Sequence, residues 1–173
     1  MALTIDTSHS EIAFVVRHMV VAKVRGYFTK WSGTAEMTGD DFSTAKLDIT
    51  IDAGSIDTRE EKRDGHLKSA DFFDVEKHPN LRFVSKKIEK KSGSDYAIVG
   101  DLTMRGVTKE VTLAAEVAPA GKDPWGNQRI GLSATAKIDR TQWGLVWNQA
   151  IELGNVLVSN EVVLEINGQM IKA

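Results

Sequence analysis

Short stretches in which apolar and polar residues alternate recur along the chain, and this period of two is the feature that most constrains the fold. Leu47, Ile49 and Ile51 alternate with polar residues, as expected for a strand with one buried face. With shorter segments near Leu3 and Ala35, the pattern predicts about eight strands. The other alternating segments are residues 12–18, 81–83, 96–102, 111–117, 130–138 and 162–166.

The breaks between these segments are short and turn-like, which favours antiparallel pairing of neighbouring strands. They are residues 39–41, 91–95, 105–106 and 121–127. Antiparallel strands of this number in up-and-down order close naturally into a barrel. Because no linker or low-complexity tract divides the chain, we expect a single domain over residues 1–173. The sequence therefore predicts an all-β fold, an eight-stranded antiparallel barrel.

One long polar segment interrupts the strand pattern and has the character of a helix. Thr58 and Glu61 have the spacing of a capping box, and Gly65 marks a break or a C-terminal cap. The sequence therefore predicts a short helical insertion around residues 58–74. A further helical turn is predicted over residues 140–144.

The charge balance and the residue types that are absent exclude several functions. The 22 basic and 24 acidic residues are interspersed and give a net charge of −2, so no basic stripe is present to bind a nucleic acid. The chain has no cysteine, which excludes disulfides and thiolate zinc sites. Its four histidines are far apart in the sequence, so neither a metal site nor a cofactor is predicted.

The N-terminal residues and the overall hydropathy indicate where the protein is found. No run approaches about 18 apolar residues, so no integral membrane segment is predicted. The first residues, MALTIDTSHSEIAF, lack the basic start and the continuous apolar run of a signal peptide. We therefore expect a cytoplasmic protein, or a periplasmic one if a leader has been removed from this sequence.

Apolar and aromatic side chains on the strands and near the barrel mouth are the candidates for contacts with a ligand. A long apolar chain needs continuous hydrophobic walls, because its stabilisation scales at roughly 25 cal/mol per Å² removed from water. Ala115, Ala134 and Ala136 lie at inward positions and favour a hollow interior, although plain core packing is the alternative. The predicted ligand-binding residues are Phe14, Val16, His18, Phe28, Trp31, Ile49, Phe72, Phe73, Phe83, Leu102, Leu132, Trp143 and Trp147.

Two Arg-Gly pairs are candidates for binding the head group of such a ligand. Arg25 precedes one glycine and Arg105 precedes another. Arginine supplies a fork of hydrogen-bond donors, and the glycine lets an anionic group approach the backbone closely. The alternative for each pair is a turn glycine beside a solvated arginine.

Several short motifs occur together in a defined order. They are Asp6-Thr7-Ser8-His9-Ser10, Arg17-His18-Met19, Val24-Arg25-Gly26-Tyr27-Phe28, Arg63-Asp64-Gly65-His66-Leu67-Lys68-Ser69, Asp71-Phe72-Phe73-Asp74, Gly100-Asp101-Leu102-Thr103-Met104-Arg105-Gly106-Val107-Thr108 and Asp139-Arg140. In their order and spacing these motifs resemble the YceI-like family, from about residue 3 to residue 168.

The resemblance implies an elongated, lipocalin-like barrel with a long apolar tunnel. It also implies non-enzymatic binding or carriage of a long-chain isoprenoid or another amphiphile, and a homodimer as the oligomeric state. The family has no universally established catalytic residues, so none are carried over to this chain. Many of its members are periplasmic and have a cleaved leader, which this sequence does not show.

Two other functions stay open on the residues alone. The first is an enzyme acting on a prenyl or acyl compound, with Asp64 and His66 as an acid–base pair. These residues face each other only in an extended or turned backbone; otherwise they would hold the helical insertion onto the barrel. The second is an interaction module with a solid interior, in which Trp125 contacts another protein.

Overall fold

The fold is built almost entirely from strands that belong to one sheet. The computed structural model of the chain describes residues 2–19, 21–149 and 157–172. Its eleven strand segments, β1 to β11 in chain order, are Ala2–Ile5, Glu11–His18, Ala22–Phe28, Trp31–Thr38, Asp41–Asp52, Ile56–Asp57, Asn80–Ser92, Asp95–Met104, Val107–Lys122, Gln128–Asp139 and Val158–Lys172. The helices of the described residues are α1 at Glu61–Lys68 and 3-10 helices at Thr7–His9, Ala53–Ser55 and Arg140–Trp143. None of them has the length and apolar character needed to cross a membrane.

The strand segments form eight barrel strands, because three of the barrel strands are each interrupted once. β1 and β2 are the two parts of the first barrel strand, and the 3-10 helix Thr7–His9 separates them. β3 and β4 are separated at Thr29 and Lys30, and β5 and β6 by the 3-10 helix Ala53–Ser55. Pairing is antiparallel, and β11 closes the ring by pairing with both β1 and β2. The predicted eight-stranded antiparallel barrel with a short helical insertion is confirmed.

The strands are longer than the alternating patterns indicated, and β3 is not among the segments predicted from alternation. Its inward residues Val24 and Phe28 are separated by Gly26, so the apolar period is broken in the sequence. β9 continues to Lys122, two residues into the predicted turn, because its pairing with β10 extends to Gln128. At the ends of strands, backbone pairing therefore extends beyond the residues in which apolar and polar side chains alternate.

Helix α1 begins and ends at later residues than the capping pattern predicted. Glu60, not Thr58, caps its first turn by accepting hydrogen bonds from the backbone N–H groups of Lys62 and Arg63. Gly65 lies inside the helix, where a Cβ atom would meet no atom of another segment within 4 Å. There it costs about 1 kcal/mol relative to alanine without ending the helix.

The two ends of the barrel differ. At the packed end, where the β4–β5, β7–β8 and β9–β10 hairpins lie, buried side chains fill the interior. Among them the rings of Phe42 and Tyr96 meet edge to face at 5.4 Å. At the opposite, helical end, α1, the residues that follow it and the 3-10 helix Arg140–Trp143 cover the opening.

An ion-pair cluster ties the first barrel strand to the β9–β10 hairpin. Arg129 Nη1 lies 2.6 Å from Asp6 Oδ2, and Arg129 Nε lies 3.0 Å from Asp123 Oδ2. Hydrogen bonds from Ser8 and Arg129 hold the pKa of Asp6 well below its usual range. Burial raises the pKa of Asp123, but hydrogen bonds from Asn127 and Arg129 outweigh that effect and lower it overall.

We expect Arg129→Met to lower the thermal unfolding midpoint at neutral pH, because both carboxylates lose their shared cation. The folded pKa values lie below the unfolded value of about 4, so this stabilisation is present above that pH and is lost as the pH falls through the folded values. The difference in midpoint between the variant and the wild type should therefore narrow below pH ~3. Thermal melts followed by circular dichroism over a pH series measure it.

Arg82→Met is the matched control, because Arg82 pairs with Asp48 on the exposed outer surface. Such exposed pairs contribute little to stability, so this variant should melt close to the wild type. An equal fall in the unfolding midpoint of both variants would show that the ion-pair cluster around Arg129 contributes no more stability than an exposed ion pair does.

Candidate functional site

An internal cavity of about 330 Å³ occupies the barrel between the helical end and the packed end. Each of the eight barrel strands contributes side chains to its wall. For scale, an engineered apolar cavity of about 150 Å³ in another protein is large enough to bind benzene. The interior is therefore hollow, and the alternative of a solid interior is wrong.

The cavity is elongated along the strands. On β11 its wall runs from Val158 to Met170. At a rise of ~3.3 Å per residue this is about 40 Å of extended strand, shortened along the barrel axis by the strand tilt. The shape suits a long chain better than a compact molecule.

Twelve of the thirteen residues predicted to contact a ligand line this cavity. They are Phe14, Val16, His18, Phe28, Trp31, Ile49, Phe72, Phe73, Phe83, Leu102, Leu132 and Trp147. Trp143 is the exception, because it is only 1% exposed and packs outside the cavity wall. Its indole Nε1 donates a hydrogen bond to the carbonyl oxygen of Leu102 at 2.9 Å.

The small inward residues have the orientation that the alternation predicted. Ala134 lines the cavity, while Ala115 and Ala136 are buried in the same wall. Ala115 is in phase with Leu113, which also lines the cavity. Small side chains at these positions leave volume inside the barrel.

Alternation also indicates several cavity residues that were not among the predicted ligand contacts. They are Ile12, Leu47, Ile51, Ile98, Val111, Leu113, Ile138, Val162, Leu164 and Ile166, each in phase with the inward face of its strand. Leu145 and Leu157 line the cavity from loop positions. No periodic signal in the sequence identifies such loop residues.

An aromatic cluster forms the cavity wall at the helical end. The His66 ring lies 4.6 Å from the Trp147 ring and 5.1 Å from the Phe72 ring, edge to face in both cases. The rings of Phe72 and Trp147 are 5.5 Å apart. Edge-to-face contacts of this kind fix the relative orientation of the rings.

Asp64 and His66 do not form the acid–base pair that the enzyme hypothesis requires. Both lie on α1, where residues two positions apart point in different directions. His66 Nε2 lies 2.8 Å from Asp71 Oδ2, while Asp64 Oδ1 accepts hydrogen bonds from the backbone N–H and the hydroxyl of Thr58. Asp64 therefore holds the helix onto the end of β6.

Arg140 is a buried cation that, among the described residues, has no carboxylate within ion-pair distance. Its guanidinium donates hydrogen bonds to the carbonyl oxygens of Leu145 at 2.6 Å and Ser159 at 2.9 Å. It also lies 5.7 Å from the centre of the Phe72 ring, and burial lowers its pKa from the ordinary value. Arg140 thus holds the start of β11 and the segment before it against the aromatic cluster.

Neither arginine predicted to bind a head group lines the cavity. Arg25 lies on the outer surface, with Nη2 2.6 Å from Glu165 Oε2. Arg105 donates hydrogen bonds to the carbonyl oxygens of Ala70 and Phe72 at 2.7 and 2.6 Å. Arg105 therefore holds the loop after α1 in place, and the head-group role of both arginines stays a prediction.

Comparison with known sequences gives matches over nearly the full length of the chain. The YceI-like domain family matches residues 3–170. A UPF0312 protein of Staphylococcus aureus (strain USA300) is 38% identical over 167 residues, which are 96% of this chain and 95% of that protein.

Solved structures with the same fold come from several bacteria. BcnA of Burkholderia cenocepacia has a TM-score of 0.83 at 22% identity and covers 95% of this chain and 98% of its own. The YCEI protein of Campylobacter jejuni has a TM-score of 0.79 at 31% identity, with coverage of 91% and 90%. A polyisoprenoid binding domain from Saccharophagus degradans has a TM-score of 0.72 at 16% identity, with coverage of 100% and 99%.

The family match and the sequence identity to the staphylococcal relative agree with the barrel architecture. The chain belongs to the YceI-like domain family.

Proposed function

We propose that this protein binds a long-chain isoprenoid or a similar amphiphilic lipid in its barrel cavity, and holds or carries it without catalysis. The main support for this proposal is the elongated cavity of about 330 Å³, whose wall is apolar on every barrel strand. An isoprenoid chain offers little that can hydrogen-bond. Burial of its apolar surface against such a wall therefore provides the binding free energy.

Two further observations support the ligand class and the absence of catalysis. The polyisoprenoid binding domain from Saccharophagus degradans shares the fold over the full length of this chain. The two residues considered for acid–base chemistry are each bonded elsewhere, Asp64 to Thr58 and His66 to Asp71. Their contacts support a structural role at the helical end.

Two glycines on the inner surface of the wall support a branched chain as the ligand. A Cβ atom on Gly26 would lie 2.2 Å from Cζ of Phe14, and one on Gly100 would lie 2.5 Å from Cζ of Phe83. Atoms do not approach so closely, so each phenyl ring lies against the wall only because a glycine leaves room for it. A ring in this position leaves a wider lumen than one that points across the barrel. The methyl branches of an isoprenoid make it wider than an unbranched chain, so a wider lumen favours it.

Extraction of the purified protein with organic solvent is expected to release a long-chain isoprenoid, which mass spectrometry identifies. Protein emptied in this way should take up geranylgeraniol, because the cavity offers it a continuous apolar wall. The mass of the recovered lipid should be unchanged after prolonged incubation. Protein that is always empty and takes up no prenyl chain would refute the binding proposal, and a changed lipid mass would refute the absence of catalysis.

A larger side chain inside the lumen should compete with the lipid for space. We expect Ala134→Phe to weaken geranylgeraniol binding by at least about tenfold, which corresponds to about 1.4 kcal/mol. Thr135→Phe adds the same ring at the adjacent, exposed position of β10 and should leave the affinity unchanged. Displacement of a fluorescent lipid measures both values, and an equal loss in the two variants would argue against binding in the lumen.

Gly26→Ala should narrow the cavity, because the added methyl group displaces the Phe14 ring from the wall. Affinity for geranylgeraniol should fall more than affinity for an unbranched alcohol of the same length. The double variant Gly26→Ala with Phe14→Leu removes the clash and should recover most of the loss. Gly131→Ala is the control, since its nearest neighbour would be at the ordinary contact distance of 3.8 Å. An unchanged chain preference in the Gly26→Ala variant would contradict the role of this glycine.

A further inference from the structure

The barrel wall is not hydrogen-bonded along its full length between the first and second barrel strands. The ladder joins Leu3 to Ala35 and resumes at the pair formed by Ile12 and Phe28. Among the described residues, these two strands have no paired residues in the interval between these two pairs. The interval coincides with the interruptions that separate β1 from β2 and β3 from β4.

Each edge of this gap is bonded to the neighbouring strand on its other side. Ser10 Oγ donates to the carbonyl oxygen of Asp6 at 2.6 Å and accepts from the backbone N–H of Gln169 at 3.1 Å. On the opposite edge, the carbonyl oxygen of Lys30 accepts a hydrogen bond from the backbone N–H of Asp52 at 2.9 Å. The gap is therefore a regular feature of the wall with its own hydrogen bonds, and not a frayed strand pair.

The gap lies between the internal cavity and a groove of about 540 Å³ on the outer surface. Ser10, Phe28 and Trp31 line both the cavity and the groove. Ile5 fills the part of the gap nearer the packed end. Its Cδ1 atom lies 3.1 Å from the position that a Cβ atom on Gly33 would occupy, so the Ile5 side chain reaches the opposite strand. Two aromatic side chains and one hydroxyl group therefore lie between the cavity and the groove.

We propose that this gap is a lateral opening, through which the apolar chain of the ligand passes into the cavity while its head group stays in the groove. The proposal rests on the proposed function, because it places the polar end of that same ligand. The other residues of the groove are Thr7, Ser8, Glu11, Tyr27, Thr29 and Lys30.

The residue types that line the groove indicate an uncharged head group that forms hydrogen bonds. Hydroxyl side chains dominate, and the single ammonium of Lys30 is balanced by the carboxylate of Glu11. A diphosphate carries several negative charges, which this neutral set would not compensate. An alcohol, a phenol or a quinone carbonyl forms hydrogen bonds with hydroxyl groups without a net charge.

The position of the head group can be mapped with single cysteines, because the chain has none of its own. Thr7→Cys and Lys30→Cys place a thiol on the two sides of the groove, and His66→Cys places one at the helical end of the cavity. Thr112→Cys, on the exposed outer surface, gives the background rate. The probe is geranylgeranyl bromoacetamide, in which the thiol-reactive group replaces the head group. Thermal melts confirm that each variant is folded.

Intact-mass spectrometry should show that the two groove variants react faster with the probe than the Thr112→Cys variant does. The rate of each variant with the probe is first divided by its rate with iodoacetamide, which has no chain. The corrected rates of the groove variants should exceed that of the Thr112→Cys variant by at least about tenfold, because binding raises the effective concentration of the reactive group. Labelling of the His66→Cys variant at an equal or higher rate would overturn the proposal and place the head group at the helical end. Failure of the unmodified protein to take up geranylgeraniol would instead refute the proposed function.

Competition tests the charge of the head group separately. Geranylgeraniol should protect the Thr7→Cys variant from the probe at lower concentration than geranylgeranyl diphosphate does. Better protection by the diphosphate would overturn the assignment of an uncharged head group.

Discussion

The pairing of β11 with strands on both of its sides keeps the sheet closed, and the rest of the structure depends on it. β11 pairs with β10 along one edge and with β1 and β2 along the other. An open sheet would leave unpaired backbone groups at two edges and expose its apolar surface to water. Once closed, the alternation that defines each strand turns one residue in two toward a common axis. Small residues at some inward positions, among them Gly26, Gly100 and Ala134, leave part of the interior open.

The helical end is held by side chains that donate to backbone carbonyl oxygens. Arg105 fixes the loop after α1, Arg140 fixes the start of β11, and Trp143 fixes the 3-10 helix to β8. A buried carbonyl oxygen left without a donor costs about 1–3 kcal/mol, and these side chains supply donors at the helical end. The chain can therefore cover one end of an apolar cavity with irregular backbone. The polar groups of the cover are paired with one another, so the lining stays hydrophobic.

The sequence was sufficient to predict the wall, because a period of two determines which side chains share a surface. Ile49 and Ile51 could be assigned to the interior on that basis alone, whereas both faces of the strand are apolar over residues 12–16 and alternation leaves the inward face open there. Trp143 could not, because a residue in a short 3-10 helix follows no period that shows which side it packs on. The gap beside Ser10 and Trp31 was also beyond prediction. It depends on which strands these residues bond to across the chain, and residue type does not report that.

The packing of Phe42 against Tyr96 at one end of the barrel bears on how the proposed lipid would enter and leave the cavity. Because side chains fill that end, a lipid chain in the cavity would not leave the barrel there. Through the proposed lateral opening, it would leave as it entered. We expect the time that a bound lipid stays in the cavity to lengthen with each carbon that has to be withdrawn, so the proposed binding would favour long chains over short ones.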